Sequence, residues 1–145
     1  MLNLFFIGIL CWISLTDIYT KRIPDSTILV AIGFRFIYFI FLEGLPWKGL
    51  VLLFFNGLAL SFPLLFLVFI AEKISHKYLL GGGDIKLLFV TGIYLGWEKN
   101  LWTLFIACLI GCLMSLFFLK KGKTDSYFPF GPSIAIAAII SMNVF

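Results

Sequence analysis

Charge is scarce in this chain. Only 12% of its 145 residues are Asp, Glu, Lys or Arg, while 62% are hydrophobic; an ordinary soluble domain carries about 25% and roughly 45–50%. A soluble domain of this length buries only about 68–70% of the surface its unfolded chain exposes, and so few polar residues cannot cover the remainder. A soluble enzyme is therefore excluded, and the natural solvent is lipid. Metal-ligating residues are also sparse, with one histidine and three cysteines. Cys11, Cys108 and Cys112 all fall inside apolar runs without a CxxC pair or a zinc motif, so they are expected to behave as small buried hydrophobes. No polar half exists either: the phenylalanines and tryptophans run through the whole length, which leaves one domain, 1–145. The net charge of +4 does not point to nucleic acid, because the basic residues form short clusters between apolar runs rather than a stripe.

What is present is a series of apolar runs, at 2–16, 26–42, 50–71, 85–97, 101–119 and 131–145. Lipid requires the backbone to satisfy its own hydrogen bonds, so each run is read as a helix. The expected fold is all-α, a polytopic membrane protein of about six transmembrane helices. The first run carries no basic n-region and no small-residue cleavage site, and is kept as a span rather than a secretory signal. Arg22-Ile23-Pro24-Asp25 ends one element and Asp25 is expected to N-cap the next. Gly44, Pro46 and Gly49 mark the second loop and Gly81-Gly82-Gly83 the third. Pro63, inside the third span, is expected to kink it, which membrane helices tolerate. Gly92 and Gly96, and Ala107, Gly111 and Ser115, recur at the four-residue spacing that lets helices approach closely in lipid.

Lysine and arginine set the expected orientation. The odd loops with their flanks hold Lys21, Arg22, Lys73, Lys77, Lys86, Lys120, Lys121 and Lys123, against Lys48 and Lys99 in the even loops. Arg35 lies within a span. The positive-inside rule then places the odd loops in the cytoplasm. Glu43 and Glu98 fall on the outer side. Glu72 and Asp125 sit in lysine-containing loops as solvated or paired charges, and His76 has a surface role.

Asp17 and Asp84 stand apart. Asp17 follows an apolar run at the inner end of the first helix, and Asp84 opens the fourth after three glycines. A carboxylate at a membrane edge is costly enough to suggest function. Singly, each has a simpler explanation: Asp17 can pair with Lys21 four residues on, and Asp84 can be a carboxylate favoured by a helix N-terminus. Together, on one membrane face, they form a site where two carboxylates cannot both ionise easily. Such a pair holds a proton, so one member can activate water while the other donates to a carbonyl oxygen. Gly81, Gly82 and Gly83 would let an extended substrate pass beside Asp84, or simply make a flexible turn.

At these residues a resemblance becomes specific. Gly81-Gly82-Gly83-Asp84 with Ile85-Lys86-Leu87 resembles the GxGD motif of the type IV prepilin peptidases, which are similar in this respect to preflagellin peptidases and presenilins. Asp17-Ile18-Tyr19-Thr20-Lys21-Arg22-Ile23-Pro24-Asp25 resembles that family's other block, and Pro129-Phe130-Gly131-Pro132 is similar to its PFGP segment. The resemblance implies that Asp17 and Asp84 are the catalytic pair of an aspartyl endopeptidase, that Asp25 is a turn residue, that Gly81, Gly82 and Gly83 meet the substrate, and that no metal or other cofactor is needed. It implies as partner a prepilin or pseudopilin with a short basic leader before a hydrophobic helix, cut at the cytoplasmic face of the inner membrane. Bifunctional members carry a further N-terminal region with methyltransferase activity. This chain starts at the first protease helix, so the resemblance is to the short, peptidase-only form of tight-adherence pilus systems. Lys86, within a turn of Asp84, could tune it or simply snorkel to the membrane edge. A small transporter, or a non-enzymatic scaffold for pilus or secretion assembly, is the alternative reading; neither needs the two acids to share a site.

Overall fold

The computed structural model describes residues 2–20, 23–43, 47–76, 81–120 and 130–144. Lys21, Arg22, Gly44, Pro46, Lys77, Lys121, Lys123, Asp125 and Pro129, all named above, lie outside the described residues. Among the described residues the chain is all-α. Six helices follow one another: α1 (Leu2–Thr20), α2 (Asp25–Tyr38), α3 (Trp47–Ser75), α4 (Gly82–Leu95), α5 (Trp97–Lys120) and α6 (Gly131–Val144). A π-helical turn, Phe39–Glu43, extends α2.

Three helices, α1, α3 and α5, are long and apolar enough to cross a membrane, and α6 is a shorter apolar helix. Their outward faces explain the excess of apolar residues. Leu52, Phe55, Phe62, Leu65, Phe66, Leu67 and Phe69 on α3 are all more than half or nearly half exposed, which only hydrocarbon tolerates. Cys11, Cys108 and Cys112 are free and lie on this outer surface. They are not core residues as expected, because a thiol costs little against lipid tails. α3 continues through Pro63 without interruption.

The core is organised around α4. This helix packs against α2, α3, α5 and α6, while α1 packs against α2 and α6. Nearly every side chain of α4 from Asp84 to Ile93 is buried. At 14 residues α4 is about 21 Å long, shorter than a hydrocarbon core of about 30 Å, so its surroundings are protein rather than lipid. α6 reaches α1, α4 and α5 because its inward positions are small: Ser133, Ala135, Ala137, Ala138 and Ser141 are buried. Small faces permit the close van der Waals packing on which helix association in membranes depends.

Of the paired glycines Gly92 and Gly96, one packs as expected and the other does not. Gly92 does mark a close crossing, since a Cβ there would lie 2.7 Å from the Asn56 carbonyl oxygen and 2.9 Å from the Gly57 Cα of α3. Gly96 does not pack. It has φ +83° and nothing within 4 Å of an added Cβ, and it ends α4 instead. Glycine is needed there for its left-handed backbone, which a side chain disfavours. On α5, Ala107 and Gly111 are buried as expected, but Ser115 is exposed. His76 ends α3 at φ 52° and is exposed.

At the end of the bundle away from Asp17 and Asp84, buried polar groups satisfy one another. The Thr91 hydroxyl lies 2.6 Å from Asn100 Oδ1, and Asn100 Nδ2 donates to the Leu88 carbonyl at 3.0 Å. The Tyr94 hydroxyl donates to the Ala31 carbonyl at 2.8 Å, and its ring stacks on Phe6 at 4.0 Å. Arg35 is buried beside this cluster, 6.0 Å from the Phe39 ring centroid.

Candidate active site

Asp17 continues the buried stripe of α1. Phe6, Leu10, Ile13 and Asp17 recur at helical spacing and all face inward. The helix runs on past the apolar run to Thr20, so Asp17 lies near the inner end of α1 as expected, and its carboxylate is directed into the bundle. There it meets the start of α6. The Gly131 amide donates to Asp17 Oδ2 at 2.9 Å. This is a charge-assisted bond at a helix N-terminus, where unpaired amides and the macrodipole favour an anion.

Asp84 occupies the corresponding position on α4. Gly81 is the N-cap, with φ −67° and ψ 132°, and Asp84 falls in the first turn. Its amide donates to the Gly81 carbonyl at 3.0 Å. Asp84 is buried, and it lies within Coulombic reach of Asp17. α1 and α4 need not pack side by side for this to occur, because α2 and α6 each touch both.

The glycines before Asp84 act through space rather than through unusual dihedrals. None of the three has a positive φ; among the described glycines only Gly96 does. A Cβ on Gly83 would lie 3.2 Å from the Ile23 side chain, whereas Gly82 has nothing within 4 Å. Gly83 therefore lets the first loop close over the start of α4, and Gly82 leaves open room beside it. Gly131 is the tightest position of the site. A Cβ there would lie 2.6 Å from Asp17 Oδ2 and 3.1 Å from its Cγ. Phe130 is seated in turn over Gly111 of α5, where an added Cβ would meet the ring at 2.6 Å.

Two roles differ from those expected. Asp25 does not cap α2: Pro24 is the N-cap, with no side-chain cap bond, and Asp25 lies in the first turn. Lys86 neither contacts Asp84 nor only snorkels; its Nζ pairs with Asp25 Oδ1 at 2.6 Å. The part of Gly131 was hidden in the sequence. Its block was visible, but the partner of its amide is 114 residues away. Among the described residues no group of three His, Cys, Asp or Glu is placed to hold a metal.

The chain matches the model of the type IV leader peptidase family over residues 4–116, a stretch that takes in Asp17 and Asp84 and stops short of Gly131. It is similar to the prepilin leader peptidase/N-methyltransferase of Bacillus subtilis (strain 168), 32% identical over 138 residues, which cover 94% of this chain and 52% of the relative. The enzyme of that description from Stutzerimonas stutzeri is 26% identical over 137 residues, covering 89% and 44%. That from Legionella pneumophila is 38% identical over 68 residues, covering 46% and 24%. The chain thus spans about half the length, or less, of these curated relatives. No solved structure matches it. With the family model matched over most of its length, the chain belongs to the type IV leader peptidase family.

Proposed function

We propose that the protein is an intramembrane aspartyl endopeptidase that removes the leader of a prepilin-like protein at the cytoplasmic face of the inner membrane. The observation that carries this reading is the convergence of Asp17 and Asp84, from helices α1 and α4, on one buried site at one end of the bundle. Membership of the leader peptidase family supports the substrate class, and the excess of lysine and arginine at the same end supports the orientation.

The chemistry follows from the pair. With one carboxylate ionised and the other protonated, the ionised member takes a proton from water as the oxygen attacks the scissile carbonyl carbon. The protonated member gives its proton to the carbonyl oxygen, forming a neutral tetrahedral diol. Collapse of the diol breaks the C–N bond: the proton first taken from water passes to the leaving amine, and one diol hydroxyl returns a proton to the carboxylate that gave one, which leaves a carboxylic acid and restores the pair. The Gly131 amide fixes the rotamer of Asp17, and the open side of Gly82 leaves room for an unwound leader. Gly81 and Gly83 shape the same approach by holding the start of α4. The reading assigns peptide hydrolysis; methyl transfer, named for the relatives, is not part of it.

Co-expression with a prepilin bearing a short basic leader tests the proposal through a leader-sized mobility shift. Asp17→Asn and Asp84→Asn each abolish the shift while the protein still inserts in the membrane, because asparagine is nearly isosteric but cannot exchange the proton. The double variant is no worse than either single one, since groups acting as a unit lose most of their function with the first removal. Near wild-type cleavage by an inserted Asp17→Asn protein overturns the dyad.

A further inference from the structure

We propose that the Lys86–Asp25 ion pair is a positioning strap that sets the separation of Asp17 and Asp84, a conclusion that rests on the dyad reading above. Asp17 is carried by α1 and Asp84 by α4, and these helices meet mainly through α2 and α6. Something must hold the end of α1 in register with the start of α4. The segment after α1 leads within a few residues into α2, so the first turn of α2 follows the end of α1. The first turn of α2 carries Asp25, and the first turns of α4 carry Asp84 and Lys86.

Across this joint the Lys86 Nζ lies 2.6 Å from Asp25 Oδ1. Beside it Gly83 packs on Ile23, with an added Cβ only 3.2 Å from that side chain. Two separate contacts, one ionic and one steric, therefore join the loop next to Asp17 to the turn that holds Asp84. Lys86 and Asp84 are two residues apart and point to different sides of the helix: Asp84 is buried, while the Lys86 side chain is 52% exposed and that of Asp25 70%. The lysine's amine is held by Asp25 rather than by Asp84, and on this proposal it acts through the backbone of α4. An exposed ion pair adds little to stability; its effect here is geometric.

Positioning and structural support make different predictions. In the full chain, assayed in membranes against a prepilin with a basic leader, Lys86→Gln and Asp25→Asn each lower kcat about two- to fivefold, the range an exposed pair can supply. KM and the folded fraction stay at wild-type levels. The double variant is no worse than either single variant, because both remove one interaction. Lys86→Arg keeps most of the activity, and the exchange Asp25→Lys with Lys86→Asp restores what the single charge reversals lose. Wild-type kcat in a folded single variant, additive losses, failure of the exchange to rescue, or a loss that tracks the folded fraction would each overturn the strap. Asp84→Asn, run alongside, separates the two claims. If it is inactive while the strap variants cut normally, only the strap fails; if it is active, the dyad itself fails.

Discussion

Replacing Gly131 by alanine puts a methyl group 2.6 Å from Oδ2 of Asp17. Ordinary contact for a Cβ begins near 3.4 Å, so one of the two must retreat by about 0.8 Å. α6 is fixed by its packing on three neighbours, and the carboxylate is the softer partner. Its retreat stretches the hydrogen bond from 2.9 Å to about 3.7 Å, past the limit at which a donor and acceptor count as bonded. A hydrogen bond to a charged group contributes about 1.5–3 kcal/mol, and a displacement of about 1 Å in a reacting group can cost on the order of 10²-fold in rate. Gly131→Ala should therefore lower leader cleavage by about 10²-fold while the protein remains folded, since alanine suits the first turn of a helix. The assay is a time course of the leader-sized mobility shift at matched amounts of inserted protein. Gly8→Ala is the control, because nothing lies within 4 Å of a Cβ there, and its cleavage should be unchanged. Cleavage by Gly131→Ala within about twofold of wild type, where the estimate is on the order of 10²-fold, would refute the claim that this amide sets Asp17.

The pH dependence of cleavage should be bell-shaped, with two apparent values belonging to the pair rather than to either residue; a single monotonic limb would speak against two coupled carboxylates. Gly92→Ala should weaken the α3–α4 crossing, where the new Cβ meets backbone at 2.7 Å, and lower stability by about 1–3 kcal/mol; an unchanged unfolding temperature in detergent would show that the crossing relaxes freely. Replacing Cys11, Cys108 and Cys112 together by alanine should leave cleavage intact, because all three face outward, and a loss of activity without loss of folded protein would contradict their bystander role. Single cysteines placed in that background in the second and fifth loops should label from opposite sides of the membrane; labelling from the same side would sink the orientation.

The helices were legible in the sequence because lipid leaves a long apolar run little choice, and the two acids were legible because so few others exist. What escaped depended on contacts far apart along the chain. Gly92 and Gly96 share one spacing, yet one lies under α3 and the other turns the chain, a distinction made only by where α4 stops. Asp25 looked like a cap because it precedes an apolar run. Pro24 takes that place, and the carboxylate is drawn to a lysine 61 residues away. The glycine block before Asp84 suggested a path for a substrate or a flexible turn, and gave no sign that the missing side chain of Gly83 makes space for Ile23.

The hydrogen bond from Gly131 to Asp17 also bears on the order of events during synthesis. Asp17 enters the membrane with α1, and its partner amide follows 114 residues later at the head of α6. Until α6 has inserted and packed against α1, the acid lacks both the amide that fixes its rotamer and the small-residue face that buries it. On the proposed function, a nascent chain therefore holds an unfinished site, and cleavage begins only when α6 docks. Ribosome-bound chains arrested before α6 should be inserted yet unable to cut.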